Sequence, residues 1–230
     1  MFVECRHLQF QYPGSRKALF KDLSFKFQAP GFHSLFGSSG VGKSSLARIL
    51  CGLLSPDAGA VYSDSVQAPL YTHNLERLPG WSTIGRHLDR ITPPQNQQKK
   101  DLLIKAFGLK THLGKRFSQL SLGQKNRINL VRYLVQDFHV LIVDECLANV
   151  DEKLRARILT TIKAMFPERL FIYISHNVIE VAIYCQQIWV LRGPEKDNQA
   201  VLVEGQDCHD QKCLDHPSLQ QTMLEIMNAA

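Results

Sequence analysis

A glycine-rich stretch between a strand-like run and a helix-like run constrains the fold of this chain most. Residues 37–45 read GSSGVGKSS and follow the apolar run LF of residues 35–36. After Lys43 the apolar residues recur at helical spacing, at Leu46, Ile49, Leu50 and Leu53. This period predicts one buried helix face, in a helix that ends before Ser55 and Pro56. The glycine-rich stretch is therefore predicted to join a strand to a helix.

The spacing of this loop indicates a phosphate-binding site. It fits the pattern G-x-x-x-x-G-K-[ST] at Gly37, Gly42, Lys43 and Ser44. In such a loop successive backbone N–H groups point at a phosphate, and the helix N-terminus adds its positive dipole end. The lysine reaches the outer phosphates, and the serine hydroxyl can bind Mg²⁺. The candidate residues are Gly37, Ser38, Ser39, Gly40, Val41, Gly42, Lys43, Ser44 and Ser45.

Two later strand-like runs end in polar residues that suit nucleotide hydrolysis. The run HVLIVDE delivers Asp144, which could steady a metal ion, and Glu145, which could polarise an attacking water. The run FIYISH delivers His176, which could sense the terminal phosphate or hold the water. The alternatives are a solvated acidic pair that opens a loop and a structural histidine with satisfied hydrogen bonds.

Composition and charge describe an ordinary folded chain. Of its 230 residues 44% are hydrophobic and 21% charged, and no apolar run reaches the length that crosses a bilayer. The first residues lack the pattern of a signal peptide, and the scattered cysteines suit buried, reduced thiols, so a cytoplasmic location is expected. The net charge of +6 is spread along the chain, which favours a solvated surface over binding to nucleic acid or an anionic membrane.

The order of predicted elements indicates an α/β fold. The first 36 residues alternate apolar and polar positions and predict antiparallel strands. Residues 81 to about 132 predict a helical insert, with PPQNQQKK as a loop inside it. Strands and helices then alternate, which is typical of a parallel sheet covered by helices. We expect one domain over residues 1–230, with a tail over about 206–230 that contains a terminal helix from Pro217.

In this order the motifs resemble those of the ATP-binding cassette (ABC) ATPases, which power ABC transporters. GSSGVGKSS is similar to the Walker A loop of that family, VLIVDE to its Walker B strand, and LANVD, ending at Asp151, to its D-loop. Tyr12 in FQYPG stands at the adenine-stacking position, Glu145 at the catalytic base and His176 at the switch histidine. The resemblance implies ATP and Mg²⁺ as cofactors. It also implies a P-loop NTPase core with a mostly parallel sheet, an N-terminal antiparallel β subdomain and a helical insert.

The segment LSLGQ stands where the family has its LSGGQ signature, an element that ordinary P-loop proteins lack. The resemblance implies that Ser121, Gly123 and Gln124 close over ATP held by a second ABC ATPase subunit, identical or different, in a head-to-tail dimer. It also implies transmembrane permease subunits that dock near residues 73–90, and a place at the cytoplasmic face of the membrane. The segment ERLPGWSTIGRHL is similar to the corresponding segment of importer ATPases for small anions and organic acids.

Two positions depart from the family pattern. Leu122 replaces a glycine of the signature, and His73 stands where the family has a glutamine linked to Mg²⁺ and water. Imidazole offers no amide oxygen to the metal's water shell. We expect hydrolysis at a normal or reduced rate. The alternatives are an ABC ATPase that acts on nucleic acid or ribosomes and a module that binds ATP without turnover.

The tail contains a second group of metal-ligand residue types, namely Cys208, His209, Cys213 and His216. Their spacing lacks the two pairs of ligands that are usual in a zinc site. A polar surface segment is the favoured interpretation.

Overall fold

The computed structural model describes residues 1–74, 76–77, 80–209 and 216–230. The smaller of its two sheets is antiparallel and lies near the N-terminus. It contains β1 (Phe2–Phe10), β2 (Phe20–Gln28) and β4 (Ala58–Ser63), in the order β2-β1-β4. The alternating burial of β2, with Leu23, Phe25 and Phe27 facing inward, follows from the period of two in its sequence.

The larger sheet has six strands and forms the centre of the fold. Its strands are β3 (Gly31–Phe36), β5 (Leu70–His73), β6 (Val140–Asp144), β7 (Leu170–Ile174), β8 (Gln187–Leu191) and β9 (Ala200–Glu204). They lie in the order β5-β6-β7-β3-β8-β9, and the pairs are parallel except for β8 with β9. Parallel strands bring their carboxyl ends to one edge, where a site can form.

Seven helices accompany the sheets in the described part of the chain. They are α1 (Lys43–Leu50), α2 (Ile84–Ile91), α3 (Gln97–Ala106), α4 (Leu122–Leu134), α5 (Glu152–Met165), α6 (Val178–Tyr184) and α7 (His216–Ala229). Short 3₁₀ turns lie at Pro94–Asn96, Lys110–His112 and Phe117–Gln119. None of the described helices combines the length and the hydropathy needed to cross a bilayer.

The large sheet is covered on both faces. On β6, Val140 and Ile142 belong to the core shared with the small sheet and α1, whereas Leu141 and Val143 belong to the core shared with the helical insert. All five residues of β6 are buried, which explains why its sequence is an unbroken apolar run that ends in Asp144.

The predicted fold class is confirmed, since an antiparallel sheet, a mostly parallel sheet and a set of inserted helices are all present. Helices α2 to α4 extend over residues 84–134, close to the insert expected at 81–132. The terminal helix α7 begins at His216, next to the predicted Pro217. The division of the chain into one domain and a tail stays a prediction.

Three local predictions are wrong. Gly31–Phe36 is not antiparallel, because β3 lies between β7 and β8 and is parallel to both. Leu53 does not extend the buried face of α1 and is 60% exposed, because Gly52 takes a left-handed φ of 68° and ends the helix. Part of the expected loop PPQNQQKK is helical, since α3 begins at Gln97.

Candidate functional site

The loop that follows β3 has a backbone that only glycine can adopt at two positions. Gly37 has a φ of 143°, and a Cβ atom there would lie 2.5 Å from the Leu191 carbonyl oxygen. Gly42 has a φ of 107° and precedes α1, where a Cβ would meet Leu19 and Phe20 at 2.9 Å. The loop therefore passes close to its neighbours and turns directly into the N-terminus of α1.

Lys43, the first residue of α1, folds back over this loop. Its ammonium group donates hydrogen bonds to the carbonyl oxygens of Gly37 at 2.8 Å and Ser38 at 2.9 Å. Burial lowers the pKa of Lys43, while the charges of Glu145 and Asp144 oppose that change. The positive charge is thus held at the centre of the loop.

A cavity of about 340 Å³ brings together Tyr12, most of the glycine-rich loop, Glu145 and His176. It is lined by Tyr12, Leu19, Ser39, Gly40, Gly42, Lys43, Ser44, Ser45, Glu145 and His176. The Tyr12 hydroxyl lies 2.9 Å from Ser45 Oγ, so the predicted adenine-stacking side chain is attached to the end of the loop. Val41 is buried beneath the loop, and its N–H donates to the Ser38 carbonyl at 3.4 Å.

Glu145 and His176 both line this cavity and contact each other. Glu145 Oε1 lies 2.5 Å from His176 Nε2, and both side chains are partly exposed. Glu145 has a φ of 54°, which is unusual for a residue with a side chain, and its N–H donates to the Ile174 carbonyl at 3.0 Å. This hydrogen bond joins the ends of β6 and β7, so the two predicted catalytic side chains face one another.

A buried carboxylate that the sequence prediction missed supports His176. Glu180 Oε2 accepts a hydrogen bond from Ser175 Oγ at 2.9 Å, and its Oε1 accepts one from the Tyr173 hydroxyl at 3.0 Å. The Glu180 N–H donates to Asn177 Oδ1 at 3.2 Å. Both residues that flank His176 are therefore fixed to Glu180. Burial raises the pKa of Glu180, although Arg155 and the two hydroxyl donors oppose this.

A larger neighbouring cavity of about 720 Å³ contains the predicted metal residues. It is lined by Ser44, Arg48, Leu53, Tyr71, His73, Asn74, Asp144 and Glu145. A serine hydroxyl and a carboxylate are hard oxygen donors that suit Mg²⁺, which takes few protein ligands and completes its shell with phosphate and water. Ser44 and Asp144 therefore fit this ion. His73 lies beside them but brings a nitrogen donor.

Tyr71 and Arg48 also line this cavity, and the sequence prediction missed them. The Tyr71 hydroxyl donates to Asp144 Oδ2 at 2.8 Å, and burial together with the Asp144 charge raises the pKa of Tyr71. Arg48 lies on α1, four residues after Ser44. The helical period of α1 places Arg48 one turn beyond Ser44, and this spacing is the sequence signal that could have predicted Arg48 beside the metal residues.

The LSLGQ residues lie elsewhere. Ser121 and Gln124 form a capping box at the start of α4, in which the Gln124 N–H donates to Ser121 Oγ and the Ser121 N–H to Gln124 Oε1. Gly123 contacts the D-loop segment, since a Cβ there would lie 2.3 Å from the Asn149 carbonyl oxygen. Asp151 caps α5 by accepting a hydrogen bond from the Leu154 N–H. In the described part of the chain none of these residues lines either cavity.

The metal-ligand residue types of the tail are only partly described. Cys208 is buried and His209 is exposed, whereas Cys213 lies outside the described residues. Within the described residues no three His, Cys, Asp or Glu side chains are grouped as a metal site would need. The Lys163 ammonium, which is almost fully buried, donates to Asp207 Oδ1 at 2.6 Å and to the Cys208 carbonyl at 2.9 Å. This part of the tail is thus fixed to α5.

Comparisons with known sequences agree on one family. The sequence model of the family described as "ABC transporter" matches residues 20–148. The spermidine/putrescine import ATP-binding protein PotA of Fusobacterium nucleatum is 32% identical over 190 residues, which cover 75% of this chain and 50% of that protein. The nickel import ATP-binding protein NikE of Pseudomonas putida is 30% identical over 219 residues, which cover 84% of this chain and 78% of that protein. The chain thus spans half the length of PotA.

Solved structures share the fold. One described as the ATP-binding subunit of an ABC transporter has a TM-score of 0.79 at 18% identity, and the match covers 99% of this chain and 100% of the other. A bacterial Atm1-family ABC exporter with ATP bound also gives 0.79, at 22% identity, and the match covers 99% of this chain and 41% of the exporter chain.

Proposed function

Because the chain belongs to the ABC transporter family, we propose that it is an ATP-hydrolysing subunit that supplies energy to an ABC transporter. The observation that carries this proposal is the single cavity bounded by the glycine-rich loop, Lys43, Glu145 and His176. A glycine-rich loop with a purely structural role would not need a buried lysine bonded to its carbonyl groups and a carboxylate–histidine pair in the same cavity.

The residues of the two neighbouring cavities have distinct roles in this proposal. The backbone N–H groups of the loop and the Lys43 ammonium hold the phosphates, and Tyr12 packs against the adenine. Ser44 and Asp144 would hold Mg²⁺, which supplies charge neutralisation at the outer phosphates. Glu145 accepts a proton from the attacking water, and His176 orients Glu145 and the terminal phosphate.

The subunit is proposed to work as a head-to-tail dimer with an identical or related ABC subunit. Ser121, Gly123 and Gln124 at the N-terminus of α4, together with Asp151, would complete the nucleotide site of the partner subunit. Ser121 and Asp151 are exposed, Gly123 and Gln124 are partly exposed, and none of the four lines either of the two cavities, which supports this arrangement. Permease subunits would dock near residues 73–90, at the cytoplasmic face of the membrane, and no nucleic acid takes part.

Phosphate release from purified protein tests the enzymatic proposal. We expect Glu145→Gln to lower the rate by about 100-fold or more, because the carboxylate that accepts the proton is lost, while ATP binding is retained. Glu168→Gln is the matched control, since Glu168 is exposed and lies outside both cavities.

Equal, background rates of phosphate release in the wild type and Glu145→Gln would contradict hydrolysis. The chain would then be an ATP-binding switch, the alternative that Leu122 and His73 favour. Recovery of RNA in place of membrane subunits when the protein is purified from cells would contradict the role in transport.

A further inference from the structure

A tyrosine outside every recognised motif contacts the carboxylate proposed to hold Mg²⁺. The Tyr71 hydroxyl donates a 2.8 Å hydrogen bond to Asp144 Oδ2. Asp144 is 5% exposed and lines the larger cavity. Tyr71 thus occupies Oδ2 of Asp144, and the other carboxylate oxygen, Oδ1, is the one that it does not bind.

Tyr71 also contacts His73, the residue that replaces the glutamine of the family. The two side chains lie on the same face of β5 because they are two residues apart in a strand. Their rings are stacked, with centroids 5.4 Å apart and planes at 16°. In the register of β5 with β6, His73 lies beside Asp144. One side chain thus contacts both polar groups at the metal side of the cavity.

We propose that Tyr71 is a positioning residue for the Mg²⁺–ATP site. Its hydroxyl holds one oxygen of Asp144 so that the other faces the ion and its water shell, and its ring holds His73 at the same edge. Hydrogen-bond donors to a metal-binding carboxylate commonly change metal affinity by 10- to 100-fold. The inference rests on the proposed function, since it takes Asp144 as a metal-binding group.

The test measures metal binding and requires no turnover. Mn²⁺ serves as the probe because it prefers the same oxygen donors and can be followed by electron paramagnetic resonance. We expect Tyr71→Phe to weaken Mn²⁺ binding to the protein–ATP complex by about 10-fold or more. ATP binding in EDTA should stay within about twofold of the wild type, because no phosphate or base contact is lost.

Tyr133→Phe is the matched control. Tyr133 is also half-buried and also donates a 2.8 Å hydrogen bond to a carboxylate, that of Glu76, but it does not line the metal cavity. It should bind Mn²⁺ like the wild type. Unchanged Mn²⁺ affinity in Tyr71→Phe, or an equal loss of ATP binding in EDTA, would overturn the inference.

A second measurement uses the wild-type protein, in case Tyr71→Phe does not fold. With ¹³C-labelled tyrosine, addition of Mg²⁺ to the ATP complex should shift the ring signal of Tyr71 and leave that of Tyr133 in place. An unmoved Tyr71 signal overturns the inference. If the wild type binds no ATP, either in EDTA or with metal, the proposed function fails. If the wild type and Tyr71→Phe bind the metal equally well, only the role of Tyr71 is removed.

Discussion

At the scale of single residues, Glu180 acts on the site through its neighbours, because it does not line the cavity of the glycine-rich loop but is bonded to both residues that flank His176. It accepts hydrogen bonds from Tyr173 and Ser175 in the interior, and Arg155 Nε lies 3.6 Å from its Oε1. Because burial raises its pKa above the usual 4.5, Glu180 binds a proton more readily in the folded protein than in the unfolded chain. This part of the stability is fully present below pH 4.5 and is lost as the pH rises through the raised pKa.

We expect Glu180→Gln to weaken this pH dependence. The amide cannot ionise, so the free energy of unfolding of the variant, relative to the wild type, should rise as the pH increases from 4.5. Urea denaturation at a series of pH values measures it, with Glu168→Gln as the exposed control. Parallel pH profiles for the wild type and Glu180→Gln would contradict the argument.

The sequence could predict the candidate residues that have a local signal. The glycine-rich loop and the polar residues at the ends of apolar runs have such a signal, and the cavity indeed brings Lys43, Glu145 and His176 together. Tyr71 has no local signal, because its contact with Asp144 depends on the register of β5 with β6, about 70 residues later in the chain. Glu180 appears in the sequence as an ordinary residue of a short helix, and its burial follows from the packing of that helix.

At the scale of elements, the period of the sequence predicted the buried strands and most helices. The prediction was wrong at β3. Its four central residues are all buried, so both faces of the strand are covered, and no alternation in the sequence distinguishes an antiparallel strand from a parallel one. The prediction was also wrong at Leu53 because the apolar pattern continues past Gly52, whose left-handed backbone ends α1. In both places the outcome is decided by backbone geometry and distant pairing rather than by local hydrophobicity.

The contact between the LSLGQ segment and the D-loop gives a prediction about two elements. If helix propensity were the only factor, Gly123→Ala would stabilise α4 by up to about 1 kcal/mol. The added Cβ would lie 2.3 Å from the Asn149 carbonyl oxygen, so we expect the opposite sign, a loss of roughly 1–3 kcal/mol in the free energy of unfolding. Urea denaturation measures this loss.

Gly114→Ala is the control for this substitution, because no atom lies within 4 Å of a Cβ at Gly114. It should change the free energy of unfolding by less than about 0.5 kcal/mol. A Gly123→Ala protein as stable as the wild type would show that the start of α4 can move away from Asn149.

At the scale of the whole molecule, the LSLGQ segment lines neither of the two cavities of the proposed nucleotide site, which is the basis for the proposed dimer. Ser121 and Leu122 are exposed at the N-terminus of α4, and in the described part of the chain neither lines the two cavities of the proposed nucleotide site. A helix N-terminus attracts phosphate, so a second copy could bring its bound ATP to this surface. ATP would then bind preferentially to the closed dimer and stabilise it.

We therefore expect Glu145→Gln, which retains ATP, to form dimers when ATP and Mg²⁺ are added. A further change of Leu122→Glu should keep the protein monomeric, because the carboxylate would repel the phosphates of the partner subunit. The monomer should stay folded, since an acidic residue is favourable in the first turn of a helix. Leu202→Glu in the same Glu145→Gln background is the matched control: Leu122 and Leu202 are each 39% exposed, and Leu202 lies on β9.

Sedimentation velocity with and without ATP distinguishes the outcomes of this experiment. Dimers of Glu145→Gln and of its Leu202→Glu derivative, beside a monomeric Leu122→Glu derivative, would place the start of α4 in the dimer interface. Equal dimerisation of all three proteins would mean that a different surface joins the subunits. All three proteins could instead remain monomeric, even when the membrane subunits are present. Each chain would then bind and hydrolyse ATP with its own residues. Ser121 and Gly123 would have only their local roles in α4.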